Sequence, residues 1–183
     1  SNYVVTGGMV ADSSVYFRTG AVPRNAIGGL LLAINTGVAM GNRTIMGCSQ
    51  TGVACRYYAP STSNHRGGDW GTSGLGTTGG AGGYNGCHVV RRRTLTDLAR
   101  IRNGVLIQGD AGLSADAVPA VEMMVYTNNS NGTPGNAVTA GHTLAGYWMH
   151  NGVVDDGVFP NAVWSGVRTA LATFYASLGR SLA

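Results

Sequence analysis

The hydrophobic positions of this chain follow two different periods. Up to about residue 150, apolar residues come in short blocks or alternate with polar ones. Beyond that point they recur every three or four residues. The run Gly28-Gly29-Leu30-Leu31-Leu32-Ala33-Ile34 is continuous, as expected of a strand buried on both faces. Ser14-Val15-Tyr16-Phe17-Arg18 is also β-rich. Arg43 to Cys48 and Val53 to Tyr58 flank a turn and read as a hairpin. Cys87 to Arg92, Asp97 to Arg102 and Val105 to Ile107 follow as strands. Between the last two stands Asn103-Gly104, the strongest short hairpin signal, because both residues tolerate positive φ. Val121 to Tyr126 and Thr143 to His150 complete the strand set, with Thr127 to Asn136 between them expected as a polar loop. The Gly-rich stretch from Gly67 to Tyr84 is expected as a long surface loop pinned by Trp70 and Tyr84.

The second period is helical. Val163, Trp164, Val167, Leu171, Phe174, Tyr175 and Leu178 form one stripe. It predicts an amphipathic helix over about residues 157–178. Pro160 fits its first turn, Asp155 or Asp156 its N-cap, and Gly179 its C-terminal end. Arg168 and Arg180 are favourable toward that end. Trp164, Phe174 and Tyr175 are expected in the core. Many short strands followed by one helix predict a single domain over residues 1–183: an all-β sandwich, strands about 3–150, with the helix packed against it.

Composition refines this picture. Charged residues make up 11% of the chain, well under the usual quarter or so. Ser, Thr, Asn and Gly must therefore cover the surface. The chain has no Lys, one Glu (Glu122) and a net charge of +4. Its only dense basic run is Arg91-Arg92-Arg93, read as a solvated edge strand with Arg92 facing opposite to its neighbours, so no nucleic-acid partner is expected. Three cysteines, Cys48, Cys55 and Cys87, cannot form a closed disulfide framework. Cys48 and Cys55 can face each other across their hairpin, and buried free thiols are the preferred state. The first residues lack the basic flank and apolar core of a secretory signal, and no apolar run reaches the roughly 20 residues of a membrane span. Synthesis in a cytoplasm, followed by assembly, is the expectation.

Val90-Arg91-Arg92-Arg93-Thr94-Leu95-Thr96-Asp97-Leu98-Ala99-Arg100-Ile101-Arg102-Asn103-Gly104-Val105-Leu106 resembles a hairpin of concanavalin-A-like (LamG/pentraxin-type) jelly rolls, especially those of tailed-phage structural proteins. Asn131-Gly132-Thr133-Pro134 resembles a later loop of that group, and Leu178-Gly179-Arg180 its closing helix end. The likeness covers about residues 86–181. It departs at Val154 to Pro160, where the family has Leu with Ser or Thr at the helix start. The resemblance implies an antiparallel jelly-roll β-sandwich with a C-terminal amphipathic helix. It also implies use in attachment, as a capsid decoration, head spike or fibre domain of a virion. Expected partners are capsid or tail proteins and further copies of the chain, a trimer being one candidate form.

Enzymatic chemistry is not expected. Glycosidases need a pair of carboxylates. On this fold they take an acid–x–acid strand, and here Glu122 is followed at i+2 by Met124. The G-x-S-x-G nucleophile elbow is absent. Carbohydrate binding by a stand-alone lectin is the alternative, with Trp70, Tyr84 and Tyr57 as glycan-contact candidates and a host surface glycan as ligand. Calcium is the one cofactor weighed. Asp155, Asp156 and Asn131 are its candidate ligands, against N-cap and turn roles that explain the same residues.

Overall fold

The strand-period pattern resolves into two large packed sheets and one separate two-stranded pair, Asn64–His65 with Thr78–Gly79. The computed structural model describes residues 2–4, 8–10, 16–24, 29–35, 43–58, 64–65, 68–71, 73–75, 78–79, 85–94, 97–110, 117–135, 137, 143–150 and 162–177. Its strands are β1 (Asn2–Val4), β2 (Gly8–Val10), β3 (Phe17–Arg18), β4 (Gly29–Asn35), β5 (Thr44–Gln50), β6 (Val53–Tyr58), β7 (Asn64–His65), β8 (Gly68–Gly71), β9 (Ser73–Gly74), β10 (Thr78–Gly79), β11 (Gly86–Thr94), β12 (Asp97–Arg102), β13 (Val105–Asp110), β14 (Met124–Val125), β15 (Asn128–Ser130), β16 (Thr133–Gly135) and β17 (Thr143–His150). One helix, α1, spans Ala162–Ser177. The first sheet runs β1-β2-β17-β4-β11-β12-β13. The second runs β16-β15-β5-β6-β8-β9, with β14 joining β5 to β3. Pairing is antiparallel except for β15 beside β5. The chain is thus an all-β sandwich with a C-terminal helix.

Alternation decides what goes inside. Leu31, Ala33, Val90, Leu98 and Leu144 from the first sheet meet Ile45, Met46, Cys48, Cys55, Tyr57, Trp70 and Val125 from the second. Each fully buried Leu or Ile among them contributes about 1.5–3 kcal/mol. The sheets come close at Gly68, where a Cβ would lie 2.8 Å from Val90 Cγ1. Tyr126 ties them together where the chain leaves β14. Its N–H donates to Ile45 O at 2.6 Å, and its hydroxyl accepts from Leu144 N at 3.1 Å. These two bonds hold Tyr126 at φ 68°, a conformation rare outside glycine.

The legible hairpins form as expected. Asn103 and Gly104 both have positive φ, and Asn103 Oδ1 also accepts from Cys87 N at 2.8 Å. Four expectations need correction. The triple-arginine run lies on β11, between β4 and β12, not at an edge. Arg92 is buried there because its guanidinium donates to Trp70 O and Thr94 O. The Gly-rich stretch is not one loop, since it holds β8, β9 and β10. The polar stretch after Tyr126 holds the β15–β16 hairpin, turning at Asn131-Gly132. Finally, Phe174 is 57% exposed rather than in the core. Leu171 is half-buried, and Gly166, Thr169, Ala170, Ala172, Thr173, Ala176 and Ser177 are exposed. Among the described residues, the core cluster is drawn from the two sheets and the segments that join them. The side chains of Val163, Trp164, Val167 and Tyr175 lie outside the described set, as do Asp155, Asp156, Pro160 and Leu178 to Arg180.

Candidate functional site

The second sheet carries a polar groove of about 470 Å³ on its outer surface. Strands β6 and β8 build its floor. They pair with Cys55 opposite Trp70 and Arg56 opposite Asp69. A strand points successive side chains to opposite faces, so Cys55 and Trp70 go inward while Arg56 and Asp69 go outward. Two glycines make room for this outward pair. A Cβ at Gly47 would sit 2.7 Å from Arg56 Cγ, and one at Gly74 would collide with Asp69 Oδ1.

The pair is locked. Arg56 Nε and Nη2 each lie 2.6 Å from Asp69 Oδ2, and the Tyr58 hydroxyl donates to the same oxygen at 3.0 Å. The Arg56 guanidinium also stacks 5.1 Å from the Tyr58 ring centre. Burial, then the Asp69 charge, holds the Tyr58 phenol well above its ordinary pKa, so it stays a donor. All three donors converge on Oδ2. Arg56 and Asp69 line the groove, and Asp69 Oδ1 and Arg56 Nη1 take no part in this lock.

Two turns form the groove's other boundaries. Thr51-Gly52 closes the β5–β6 hairpin, with Gly52 at φ 78°. Parallel pairing of β15 with β5 brings Ser130 beside Ser49. Asn131 follows at φ 52°, its N–H donating to Ser49 O at 2.8 Å. Ser49 Oγ accepts from Asn128 Nδ2 at 2.7 Å, and Gln50 Oε1 accepts from Ala120 N at 3.1 Å. These bonds leave the Ser49 hydroxyl proton and the Gln50 amide nitrogen for a ligand.

The aromatic candidates fall elsewhere. Trp70 and Tyr57 are 0% and 1% exposed, so neither offers a face for a sugar to stack on. The Tyr57 ring instead lies 5.7 Å from that of His88 and 5.7 Å from the Arg100 guanidinium. Tyr84 lies outside the described residues. Of the calcium candidates, Asp155 and Asp156 lie outside them too, while Asn131 is a groove residue. Among the described residues no three His, Cys, Asp or Glu side chains gather as a metal site. Asn128 and Asn129 are structural: Asn129 Nδ2 donates to Glu122 O, and its Oδ1 accepts from Gly132 N, both at 2.8 Å.

Arg56, Asp69 and Gly74 were missed as site residues. The signal was there for Arg56, which alternates with Cys55 and Tyr57. For Asp69 it lay in Trp70: once that residue is taken as inward, its neighbour must face out. No family model matches this chain, and no curated protein matches it either.

Proposed function

We propose that this chain is a non-catalytic attachment domain, a structural part of a tailed-phage particle that packs against capsid or tail proteins and against copies of itself. The observation that supports the reading is exposed apolar surface at an open sheet edge. Val105 and Leu106 on β13 are 62% and 57% exposed, and among the described residues β13 ends the first sheet. An unpaired edge bearing large apolar side chains is a template for association. Phe174 on α1 adds a further exposed apolar group. The weakly charged Gly/Asn/Thr-rich composition and the resemblance of residues 86–181 to phage jelly rolls point the same way.

The direct test is to look for the chain in purified particles by mass spectrometry and antibody-labelled electron microscopy. Regularly spaced label on the capsid or tail supports the reading. Absence of the chain from particles, together with a monomeric purified protein, contradicts it. A second reading, a stand-alone glycan-binding domain, is favoured by the polar groove.

A further inference from the structure

We infer that the groove on the second sheet is a binding site for a neutral polyhydroxyl ligand, a glycan of one or two sugar units. The inference deepens the attachment reading, because such a site would hold the particle to a surface glycan.

Size comes first. A volume of about 470 Å³ lies within the range of roughly 300–1,000 Å³ that small-molecule sites occupy. Charge comes next. Arg56 and Asp69 are the charged residues lining the groove, and they neutralise each other at 2.6 Å. Among the described lining residues no net charge is left to select a phosphate, a sulfate or a cation. What remains is a set of hydrogen-bonding groups of both kinds. Asp69 Oδ1 can only accept, while Arg56 Nη1 and Gln50 Nε2 can only donate. The Ser49 hydroxyl donates, and the Asn131 amide does both. Adjacent sugar hydroxyls need this mixture, since each offers one proton and two lone pairs. A carboxylate beside a guanidinium presents an acceptor and a donor side by side, as two neighbouring hydroxyls require.

The groove is also prepared for its ligand. Three donors fix the Asp69 carboxylate through Oδ2, so little rotamer entropy remains to be lost when Oδ1 is used. Gly71 adds no side chain to the lining, while Gly74 leaves the room that the Asp69 carboxylate occupies. A peptide fits less well. Extended peptides bind by adding a strand to a sheet edge. The groove's floor strands β5, β6 and β8 already have partners on both sides.

The test uses the purified full chain on an array of neutral, sialylated and sulfated oligosaccharides, followed by calorimetric titration of the best neutral hit. Three variants accompany it: Asp69→Asn, Gln50→Ala and, as a control on the opposite sheet and away from the β13 edge, Tyr147→Ala. Thermal melting shows whether each variant is folded. Saturable binding of a neutral glycan is expected, weakened about tenfold or more by Asp69→Asn, less by Gln50→Ala and unchanged by Tyr147→Ala. The inference is overturned if no neutral glycan binds. It is equally overturned if only charged glycans or peptides bind, or if folded Asp69→Asn and Gln50→Ala both bind like the parent. Should Asp69→Asn not fold, Gln50→Ala decides alone. Particle association does not depend on Asp69, so failure here leaves the structural reading standing.

Discussion

Arg92 Nη1 donates to the backbone oxygen of Trp70 at 2.5 Å, bridging from the first sheet of the sandwich to the second. An arginine that is 1% exposed is tolerable in a core because this bond and the one to Thr94 O absorb its donors. Arg92→Met keeps much of the bulk but removes the charged donor to Trp70 O. We expect it to lower stability by about 1.5–3 kcal/mol, the range for hydrogen bonds to charged groups. Urea unfolding followed by Trp fluorescence measures this. An unchanged midpoint would show that the bridge contributes nothing.

Arg100 makes the opposite case. It is fully buried, and its three guanidinium nitrogens meet no well-formed hydrogen bond among the described residues, with only the neighbouring Tyr57 side chain to compensate the charge. Burial pushes its pKa below the ordinary arginine value, opposed by the charge interaction with Tyr57. Replacing even a buried ion pair by apolar side chains of similar volume is often neutral or stabilising by about 1–4 kcal/mol, and a charge with weaker compensation favours the apolar replacement further. Arg100→Met is therefore expected to raise the urea midpoint, whereas Arg92→Met lowers it. A loss of stability in Arg100→Met would mean that the guanidinium is bonded in solution.

These two residues also show what a sequence can and cannot disclose. Both are arginines on strands of period two, and burial depends on what the opposite sheet places over them, which no local pattern encodes. The hairpin at Asn103-Gly104 was legible because apolar strands flank a pair that accepts positive φ. Asn131-Gly132 makes the same kind of turn, but its flanks are polar, so the stretch looked like a loop. Gly68-Asp69-Trp70-Gly71 was hidden by glycine, which lowers β-propensity while the pairing with β6 supplies the order. The groove needed that register before Arg56 and Asp69 could be seen to meet.

Acid stability should depend on Glu122. Arg18 and the Gly20 N–H donate to its carboxylate. The Arg18 bond is the main reason its pKa lies below the ordinary glutamate value. A depressed folded pKa means that the unfolded chain binds the proton more readily. The stabilisation is thus complete above the ordinary carboxylate range and is lost as pH falls through the folded pKa. Glu122→Gln should be less stable than the parent near pH 7, and the gap should shrink on acidification. A gap that is constant with pH would assign the effect to something other than this charge.

The thiols should be silent in the native state. Cys48 and Cys55 face each other across β5 and β6, and both are buried thiols outside any disulfide, as is Cys87. Burial, then the bond with Cys48, pushes the Cys55 thiol up, and the reactive species is the thiolate. Slow reaction with a thiol-specific disulfide reagent at about pH 8 is expected, rising to all three cysteines once denaturant is added. Rapid native reaction would contradict the packing.

The attachment account rests most heavily on the exposed edge of β13. Its most direct test is light scattering coupled to size-exclusion chromatography, comparing the parent with a Val105→Asp, Leu106→Asp double variant. The account predicts an oligomer for the parent, dissociating to monomer when charge is placed on the edge. A parent that stays monomeric at every concentration, or an oligomer that the two aspartates leave intact, would contradict it.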